Sequence, residues 1–453
     1  MEEEPEKDNV LPYFESGKDN KRLKVTFADP HSDKDIFDIW KDYIGVWETE
    51  GLKLLILPRK RRRINNEEFS SISCFIISSD LSNDGVFWFP ESHKVDKKGL
   101  FFFEDYKKIK SKPVWLSKHA STLILRLSKT GNIYRLKKVE ENINYPLLSK
   151  ISVIGKGGLY NLKEISNTEA AFTYSWAFGS SAIEMDLNVP QKGDGEFDFE
   201  NIRITSESKL RENTNLLSET LDFNTVLTQL KDFYQELIYL DLEAFSFQTP
   251  DLQEMLIKSL LKQIKEKKEF IPHIRFIINA PDDSFAKNVF DTKMWRDYVK
   301  EYDLKDTVSW SAVWSEERPR NFLFLTFPGR LASGKRVVED ALGKGGLLAP
   351  SVISINIEGI EGVSMSLWNR LTRKFNKNFS PQLVKDLEQD IIFYSIDKNL
   401  DNVNLLLQLL YEIDFFIDMK RILGFVSSAP HELIKHLALD CNVFDQEEKP
   451  DNE

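Results

Sequence analysis

The stretch Ile274-Arg-Phe-Ile-Ile278 is one of several short apolar segments in the C-terminal part of the chain. Short apolar segments with β-branched residues and polar flanks are typical of buried strands. The other segments of this kind are residues 307–313, 322–327, 352–357 and 391–396. Helical patterns at residues 284–301 and 336–342 lie between some of them. Because strands that alternate with helices favour a partly parallel sheet, we predict an α/β module at residues 269–444.

The sequence before this module carries strand signals of a different kind. From residue 45 to about residue 205, short apolar and β-branched segments are separated by polar breaks. Lys129-Thr-Gly-Asn132 lies between two such segments and is typical of a hairpin turn. Hairpins join antiparallel strands. We therefore predict a mainly antiparallel β domain at residues 31–205.

Helical periodicity separates these two regions. Apolar residues recur at helix-like intervals from Leu216 to Leu240, and Thr249-Pro250 is typical of a helix start. We predict a helical connector at residues 206–268. The fold class predicted for the whole chain is α+β, with an N-terminal mainly antiparallel β domain, this connector and a C-terminal α/β module that ends in helices. Those last helices are predicted at residues 399–423 and 430–439, and acidic or polar tails at residues 1–30 and 445–453.

Composition restricts the setting in which the protein works. The net charge of −11 and the isoelectric point near 5.3 disfavour indiscriminate binding of polyanions by the whole chain. The two cysteines, Cys74 and Cys441, do not form a disulfide framework, which favours a reducing compartment. We found neither a signal peptide nor an apolar segment long enough to cross a bilayer. We expect a cytoplasmic protein, or a nuclear one if the organism is eukaryotic, without a membrane partner.

Local positive charge is the clearest functional signal in the sequence. Residues 59–63 read Arg-Lys-Arg-Arg-Arg, and residues 91–140 hold thirteen Lys and Arg against five Asp and Glu, with aromatic residues between them. A basic β surface with aromatics can follow phosphates and stack bases. Lysines also cover exposed sheet edges, and a basic run can act in nuclear import or bind an acidic protein. Our candidates for nucleic-acid binding are Arg59, Lys60, Arg61, Arg62, Arg63, Lys107, Lys108, Lys137 and Lys138.

The segment Gly329-Arg-Leu-Ala-Ser-Gly-Lys-Arg336 approaches the pattern of a phosphate-binding loop. In such a loop the backbone amides and the lysine bind phosphates, and the hydroxyl after the lysine binds magnesium. Gly329, Gly334 and Lys335 are therefore candidates for nucleotide binding. Arg336 replaces the hydroxyl and cannot bind a metal, so the pattern disfavours nucleotide hydrolysis. A glycine turn before a helix explains the same residues without a ligand.

A second segment resembles the metal-binding arrangement of topoisomerase–primase (toprim) domains. Val352-Ile-Ser-Ile-Asn-Ile-Glu358-Gly359 ends a strand candidate in Glu-Gly, and Asp397 follows a later strand candidate. The resemblance implies that Glu358 and Asp397 would hold magnesium for phosphodiester chemistry. The later strand lacks the D-x-D of that family, since the chain reads Asp397-Lys-Asn399. A buried strand that reaches an exposed turn accounts equally for both residues.

Other catalytic patterns are missing from the sequence. The spacing of His431, His436 and Cys441 does not suit a metal site on one helix face, and we predicted no metal ligands and no cofactor. Our leading hypothesis is a non-catalytic subunit of a multiprotein assembly, whose basic β domain contacts nucleic acid (DNA or RNA) or an acidic protein partner. The alternative is a divergent phosphate-handling enzyme in DNA processing or defence, either a nucleotidase with a P-loop-like site or a toprim-like, Mg²⁺-dependent nuclease.

Overall fold

The computed structural model contains strands and helices arranged in one antiparallel and one mixed sheet. It describes residues 42–64, 67–79, 100–103, 113–127, 133–158, 166–168, 171–172, 175, 180–193, 195–205, 220–230, 237–242, 245, 248–268, 273–279, 293–314, 352–356, 390–394, 400, 403–404, 407 and 423–441. Within these residues no helix is long and apolar enough to cross a membrane.

The first sheet has seven strands in the order β3-β2-β1-β7-β6-β5-β4, and all of its pairings are antiparallel. Apolar side chains from several of these strands are fully buried, among them Trp47, Leu54, Leu123 and Leu136. The prediction of antiparallel pairing in this part of the chain is confirmed. The strands are β1 (Gly45–Thr49), β2 (Leu52–Ile64), β3 (Glu67–Ser79), β4 (Leu100–Phe103), β5 (Pro113–His119), β6 (Thr122–Leu127) and β7 (Ile133–Val139).

The second sheet contains eight parallel strands that pair in a closed ring. In order round the ring they are β8 (Ile151–Lys156), β9 (Ala182–Asn188), β12 (Leu237–Asp241), β13 (His273–Asn279), β14 (Val308–Trp314), β15 (Val352–Asn356), β16 (Asp390–Tyr394) and β17 (Leu423–Ser427). The ring closes because β17 pairs with β8. Two short antiparallel strands, β10 (Arg203–Ile204) and β11 (Leu221–Asp222), extend the sheet beside β9.

The ring is a barrel with a filled interior. Followed from strand to strand, the paired positions return to β8 eight residues displaced, which is the stagger of an eight-stranded α/β barrel. Tyr239, Ile392 and Val426 are buried together in one cluster with Ile154 and Ala182. The barrel strands bury apolar residues on both faces because the interior cluster and the outer helices cover them from opposite sides.

Helices cover the outer surface of the barrel. The described helices are α1 (Tyr145–Lys150), α2 (Phe223–Leu230), α3 (Pro250–Glu266), α4 (Lys293–Glu301) and α5 (Pro430–Leu439). Helix α3 begins at Pro250 after Thr249, as the sequence predicts, and it buries Leu256, Leu260 and Ile264. These side chains join Ile183 and the other outward-facing strand residues in the largest apolar cluster of the described residues. The outward faces of β9, β12, β13 and β14 and the inner faces of α2, α3 and α4 therefore form one continuous core.

Hydrogen bonds join the start of helix α1 to the end of helix α5. The Asn144 backbone N–H donates to the Ala438 carbonyl (2.9 Å), and the Asn144 side chain donates to the Cys441 carbonyl (2.8 Å). The same side chain accepts from the Leu147 N–H and caps α1. The segment before β8 is thus tied to the segment after α5.

Several sequence expectations differ from these elements. Residues 237–241 were expected to continue a helix, but they form β12, because an apolar run that is buried on all sides fits a helix and a strand equally well. Strands β8 and β9 lie inside the region that we assigned to the β domain, yet they pair in the barrel. The division of the chain into five segments stays a prediction. The strand candidate at residues 322–327 and the helix at 336–342 lie outside the described residues.

A candidate metal centre at the barrel mouth

Three carboxylates meet where neighbouring barrel strands end. Strand β9 carries Glu184 and Asp186, and strand β12 ends at Asp241. Asp241 lies directly beside Asp186 in the parallel register. Alternate residues of a strand point to the same face, so Glu184 is on the same side of the sheet as Asp186. The carboxyl end of such a barrel is the edge at which α/β barrel enzymes form their active sites.

The spacing of these carboxylates suits a single cation. One ligand oxygen from each of Glu184, Asp186 and Asp241 lies within 4.8 Å of the other two. Glu184 is fully buried, whereas Asp186 and Asp241 are partly exposed. Carboxylates this close repel one another when all are ionised, and a divalent cation removes that repulsion. Three carboxylate oxygens with an open, exposed side are a suitable ligand set for Mg²⁺, Mn²⁺ or Ca²⁺.

Asn167 fixes the position of Asp186 with both ends of its side-chain amide. Its Nδ2 donates to Asp186 Oδ2 at 2.7 Å, and its Oδ1 accepts from the Asp186 backbone N–H at 3.0 Å. Asn167 is buried (4% exposed) and has φ of 58°, a left-handed conformation that asparagine tolerates better than most residues. A second residue thus holds the carboxylate in one orientation, as is usual for metal ligands.

A glycine turn after β8 completes this edge of the barrel. The Gly157 N–H donates to the Glu184 carbonyl at 2.9 Å, and the Gly157 carbonyl accepts from the Asn167 N–H at 2.8 Å. Gly158 has φ of 92°, and a Cβ atom there would lie 2.5 Å from the Ala171 carbonyl carbon. Lys156, between these glycines and Gly155, is exposed and lies beside Glu184 in the register. The turn is therefore hydrogen-bonded to the backbone of Glu184 and, through Asn167, to that of Asp186. Its Lys156 adds a positively charged side chain to the mouth.

The residues that we predicted for nucleic-acid binding lie partly in the first sheet. Residues 59–63 belong to β2, beyond its last pairing with β1. Near the end of the β2–β3 hairpin Arg59, Arg62 and Arg63 pair with β3, and Lys60 and Arg61 lie in an irregularity of that register. Lys137 and Lys138 are exposed on β7, on the other side of β1. Lys138 Nζ lies 5.8 Å from the centre of the Trp47 ring. Lys138 also lines a cleft of about 850 Å³.

The remaining predicted site residues cannot be compared with the structure. Lys107 and Lys108, the nucleotide candidates Gly329, Gly334 and Lys335, and the carboxylate candidates Glu358 and Asp397 lie outside the described residues.

Sequence reasoning missed the carboxylate cluster. The spacing of histidines and cysteines indicates no metal site, and the acidic residues that the sequence patterns single out are Glu358 and Asp397. The available signal was Ala182-Ile-Glu-Met-Asp-Leu-Asn188, in which two acids occupy alternate positions of an otherwise apolar strand. An acid on a buried face needs a partner, which makes this pattern informative. Asp241 could not be joined to the pair, because the register between β9 and β12 is a property of the folded sheet.

Comparison with known proteins shows no family and gives only distant structural matches. No protein-family model matches the chain, and no curated protein matches it in sequence. A glycerophosphoryl diester phosphodiesterase from Parabacteroides distasonis is 8% identical, with 66% of this chain and 87% of that chain covered and a TM-score of 0.32. The 7,8-dihydropteroate synthase from Vibrio fischeri is 9% identical, with coverages of 64% and 91% and a TM-score of 0.32. A family 39 glycoside hydrolase from Bacteroides cellulosilyticus is 14% identical, with coverages of 84% and 71% and a TM-score of 0.31. At these TM-scores, none of the three supports a functional argument.

Proposed function

We propose that the chain is a divalent-cation-dependent hydrolase of phosphate esters, with its site at the carboxyl end of the barrel. One observation carries this proposal: the oxygens of Glu184, Asp186 and Asp241 lie within 4.8 Å of one another at that edge. A hard cation held by carboxylates keeps further coordination positions for water and for the oxygens of a phosphate. The proposal develops the phosphate-handling alternative from the sequence, with different carboxylates.

The chemistry follows from the cation that these residues would hold. A divalent cation held by these residues would supply an activated water and would stabilise negative charge on the phosphate oxygens. In the hydrolysis the water oxygen would bond to phosphorus and lose a proton, the ester P–O bond would break, and the leaving oxygen would take up a proton. In this proposal Glu184, Asp186 and Asp241 hold the cation, and Asn167 keeps Asp186 in the ligating orientation. The exposed Lys156 is the described cationic side chain of the glycine turn at this edge.

Titration calorimetry with Mn²⁺ or Mg²⁺, followed by hydrolysis of bis(p-nitrophenyl) phosphate, tests the proposal. We expect the wild-type chain to bind one cation and to release p-nitrophenol only with the cation present. Asp241→Asn and Asp186→Asn should each weaken cation binding at least about tenfold, since both carboxylates are direct ligands. Glu301→Gln, an exposed acid at the end of α4, is the matched control and should bind normally. Absence of cation binding by the wild-type chain would refute the proposal.

A second candidate function is binding of nucleic acid or an acidic protein by the first sheet, as a non-catalytic subunit of an assembly. The observation that favours it is the place of residues 59–63, which lie on β2 beyond β1 and near the hairpin end. In this second candidate function the antiparallel sheet binds the partner, and the barrel binds a cation but catalyses no reaction. Cations that contact phosphates make the affinity fall with salt.

Measuring DNA and RNA affinity against salt concentration tests this second candidate. The wild-type chain should bind more weakly as salt rises, and replacing residues 59–63 by alanine should reduce both the affinity and the slope. A response that is flat in both proteins would reject nucleic acid as the partner. Cation binding without phosphodiesterase activity, together with a salt-dependent affinity, would favour the subunit over the hydrolase.

A further inference from the structure

Strand β10 places Arg203 on the same face of the sheet as the carboxylate cluster. In the antiparallel register Arg203 lies opposite Asn188 and Ile204 lies opposite Leu187, while the Thr205 N–H donates to the Asp186 carbonyl at 2.9 Å. Cross-strand partners share a face of the sheet, and alternate residues of one strand share a face. Arg203 is therefore on the face of Asn188 and Asp186, the face that also carries Glu184.

The opposite face is accounted for by apolar packing. Ile204 and Leu187 are buried in the large cluster between strands and helices, together with Ile183 and Met185. This assigns the outward face of β9 and β10 to the core. The polar residues at positions 184, 186, 188 and 203 therefore occupy the side that opens to the barrel mouth.

Within the part of the chain that the structure describes, the Arg203 Nε is buried and makes no hydrogen bond, although the residue as a whole is partly exposed. Its cross-strand neighbour Asp222 directs Oδ2 to the Thr225 backbone N–H (2.9 Å) and hydroxyl (3.0 Å). A buried guanidinium nitrogen without an acceptor is unfavourable in the empty protein and is satisfied when an anion binds.

We propose that Arg203 is the anion-binding residue of the barrel mouth and binds a phosphate oxygen of the ligand that the cation also holds. This inference rests on the proposed hydrolase and deepens it by assigning the group that recognises the phosphate. The guanidinium presents Nε and Nη donors in a planar fork, which matches two oxygens of a phosphate. The three carboxylates would repel the negative charge of a phosphate. A cation and an arginine that bind the same phosphate neutralise that charge.

Calorimetry with Mn²⁺ and inorganic phosphate, on the full chain, tests this assignment. For Arg203→Met we expect Mn²⁺ affinity within about threefold of wild type and phosphate affinity, measured with Mn²⁺ present, at least about tenfold weaker. Arg203→Lys should fall between the two proteins, because lysine keeps the charge without the fork. Arg135→Met, an exposed arginine on β7, is the matched control and should bind like wild type.

The outcomes distinguish a failure of the Arg203 assignment from a failure of the proposed hydrolase. If Mn²⁺ binds and phosphate binds Arg203→Met as tightly as wild type, the assignment of Arg203 is wrong while the hydrolase stands. If Mn²⁺ does not bind but phosphate binds wild type and not Arg203→Met, the hydrolase fails and the arginine site stands. If phosphate does not bind the wild-type chain at all, the inference is overturned. Should Arg203→Met fail to fold by circular dichroism, the comparison of Arg203→Lys with wild type decides in the same way.

Discussion

The side-chain amide of Asn167 makes two hydrogen bonds to Asp186: it donates to the carboxylate and accepts from the backbone N–H. Asn167 precedes β9 in the chain, whereas Asp186 lies within β9, so this contact also joins two segments of the mouth. It gives the carboxylate one orientation before any ligand arrives. Mutation of a residue that orients a metal ligand in this way typically weakens metal affinity by about 10- to 100-fold.

Replacing Asn167 should therefore weaken cation binding without removing a ligand. Asn167→Gly keeps the left-handed backbone, since glycine adopts positive φ freely, but it loses both amide contacts. We expect Mn²⁺ affinity, measured by calorimetry, to fall by about tenfold. Asn201→Gly removes an asparagine that binds Asp198 on an exposed turn and should leave the affinity unchanged. Equal affinity in wild type and Asn167→Gly would mean that Asp186 needs no support.

Gly158→Ala should destabilise the protein. The added Cβ would lie 2.5 Å from the Ala171 carbonyl carbon, and φ of 92° strains any L side chain. We expect the free energy of unfolding, measured with urea, to fall by about 2 kcal/mol or more. Gly193→Ala is the control, because nothing lies within 4 Å of its Cβ position and its φ is not in the positive range. The two variants should differ clearly, and similar stabilities would contradict the tight turn.

The Cys441 thiol should resist alkylation while the protein is folded. Burial, with a smaller contribution from Asp440, raises the pKa of Cys441 to about 12, and its Sγ donates to Asn404 Oδ1 at 2.7 Å. At pH 8 only about one thiol in ten thousand is then ionised, and the thiolate is the reactive form. In a Cys74→Ser chain, iodoacetamide should label Cys441 at pH 8 only after denaturation. Fast labelling of the folded chain would show that the thiol is exposed.

Glu432 should contribute a pH-dependent part of the stability. Burial raises its pKa, but a hydrogen bond from His431, the charge of that imidazole and contacts with Lys435 outweigh this effect and lower the pKa to about 2. A carboxyl whose pKa is depressed in the folded state stabilises the protein above its unfolded pKa, and this contribution is lost as the pH falls from about 4.5 towards 2. The side chain is 48% exposed, so after solvent screening we expect at most about 1 kcal/mol.

Chemical denaturation of wild type and Glu432→Gln between pH 6 and pH 3 measures this contribution. The difference between their free energies of unfolding should be present at pH 5 to 6 and shrink below about pH 4.5. Lys435→Met removes one of the two partners of Glu432 and should lower the stability at pH 5 by a smaller amount. A difference that stays constant down to pH 3 would show that the carboxyl titrates alike in the folded and unfolded chains.

The local elements were the predictable part of this fold. Strand β7 begins directly after the predicted turn at residues 129–132, and α3 begins at the predicted Thr249-Pro250 start. Helix α5 likewise matches the predicted helix at residues 430–439. These elements are recognisable because alternation, helical spacing and turn residues act over a few neighbouring positions. The presence of strands and helices in antiparallel and mixed sheets is therefore confirmed.

The sheet to which each strand belongs was not predictable in the same way. Strands β8 and β9 come next in sequence after the antiparallel strands and α1, yet they pair with β17 and β12. Closure of the ring decides which strands become neighbours, and no local sequence pattern predicts that closure. The candidate site depends on the same long-range choice, because Glu184 and Asp241 meet only when β9 and β12 pair. A single sequence therefore reveals the ligating residue types more readily than their assembly.

Pairing of β17 with β8 has a consequence for the order of events during synthesis. The ribosome releases β8, β9 and β12 long before β17, so the strands that carry the three acids can pair early while β8 still lacks its second neighbour. The open edge of β8 stays available to other chains until the last strand emerges. The C-terminal segment thus acts as the closing piece of the barrel, and premature termination before residue 423 would leave an aggregation-prone sheet that already bears the acidic residues.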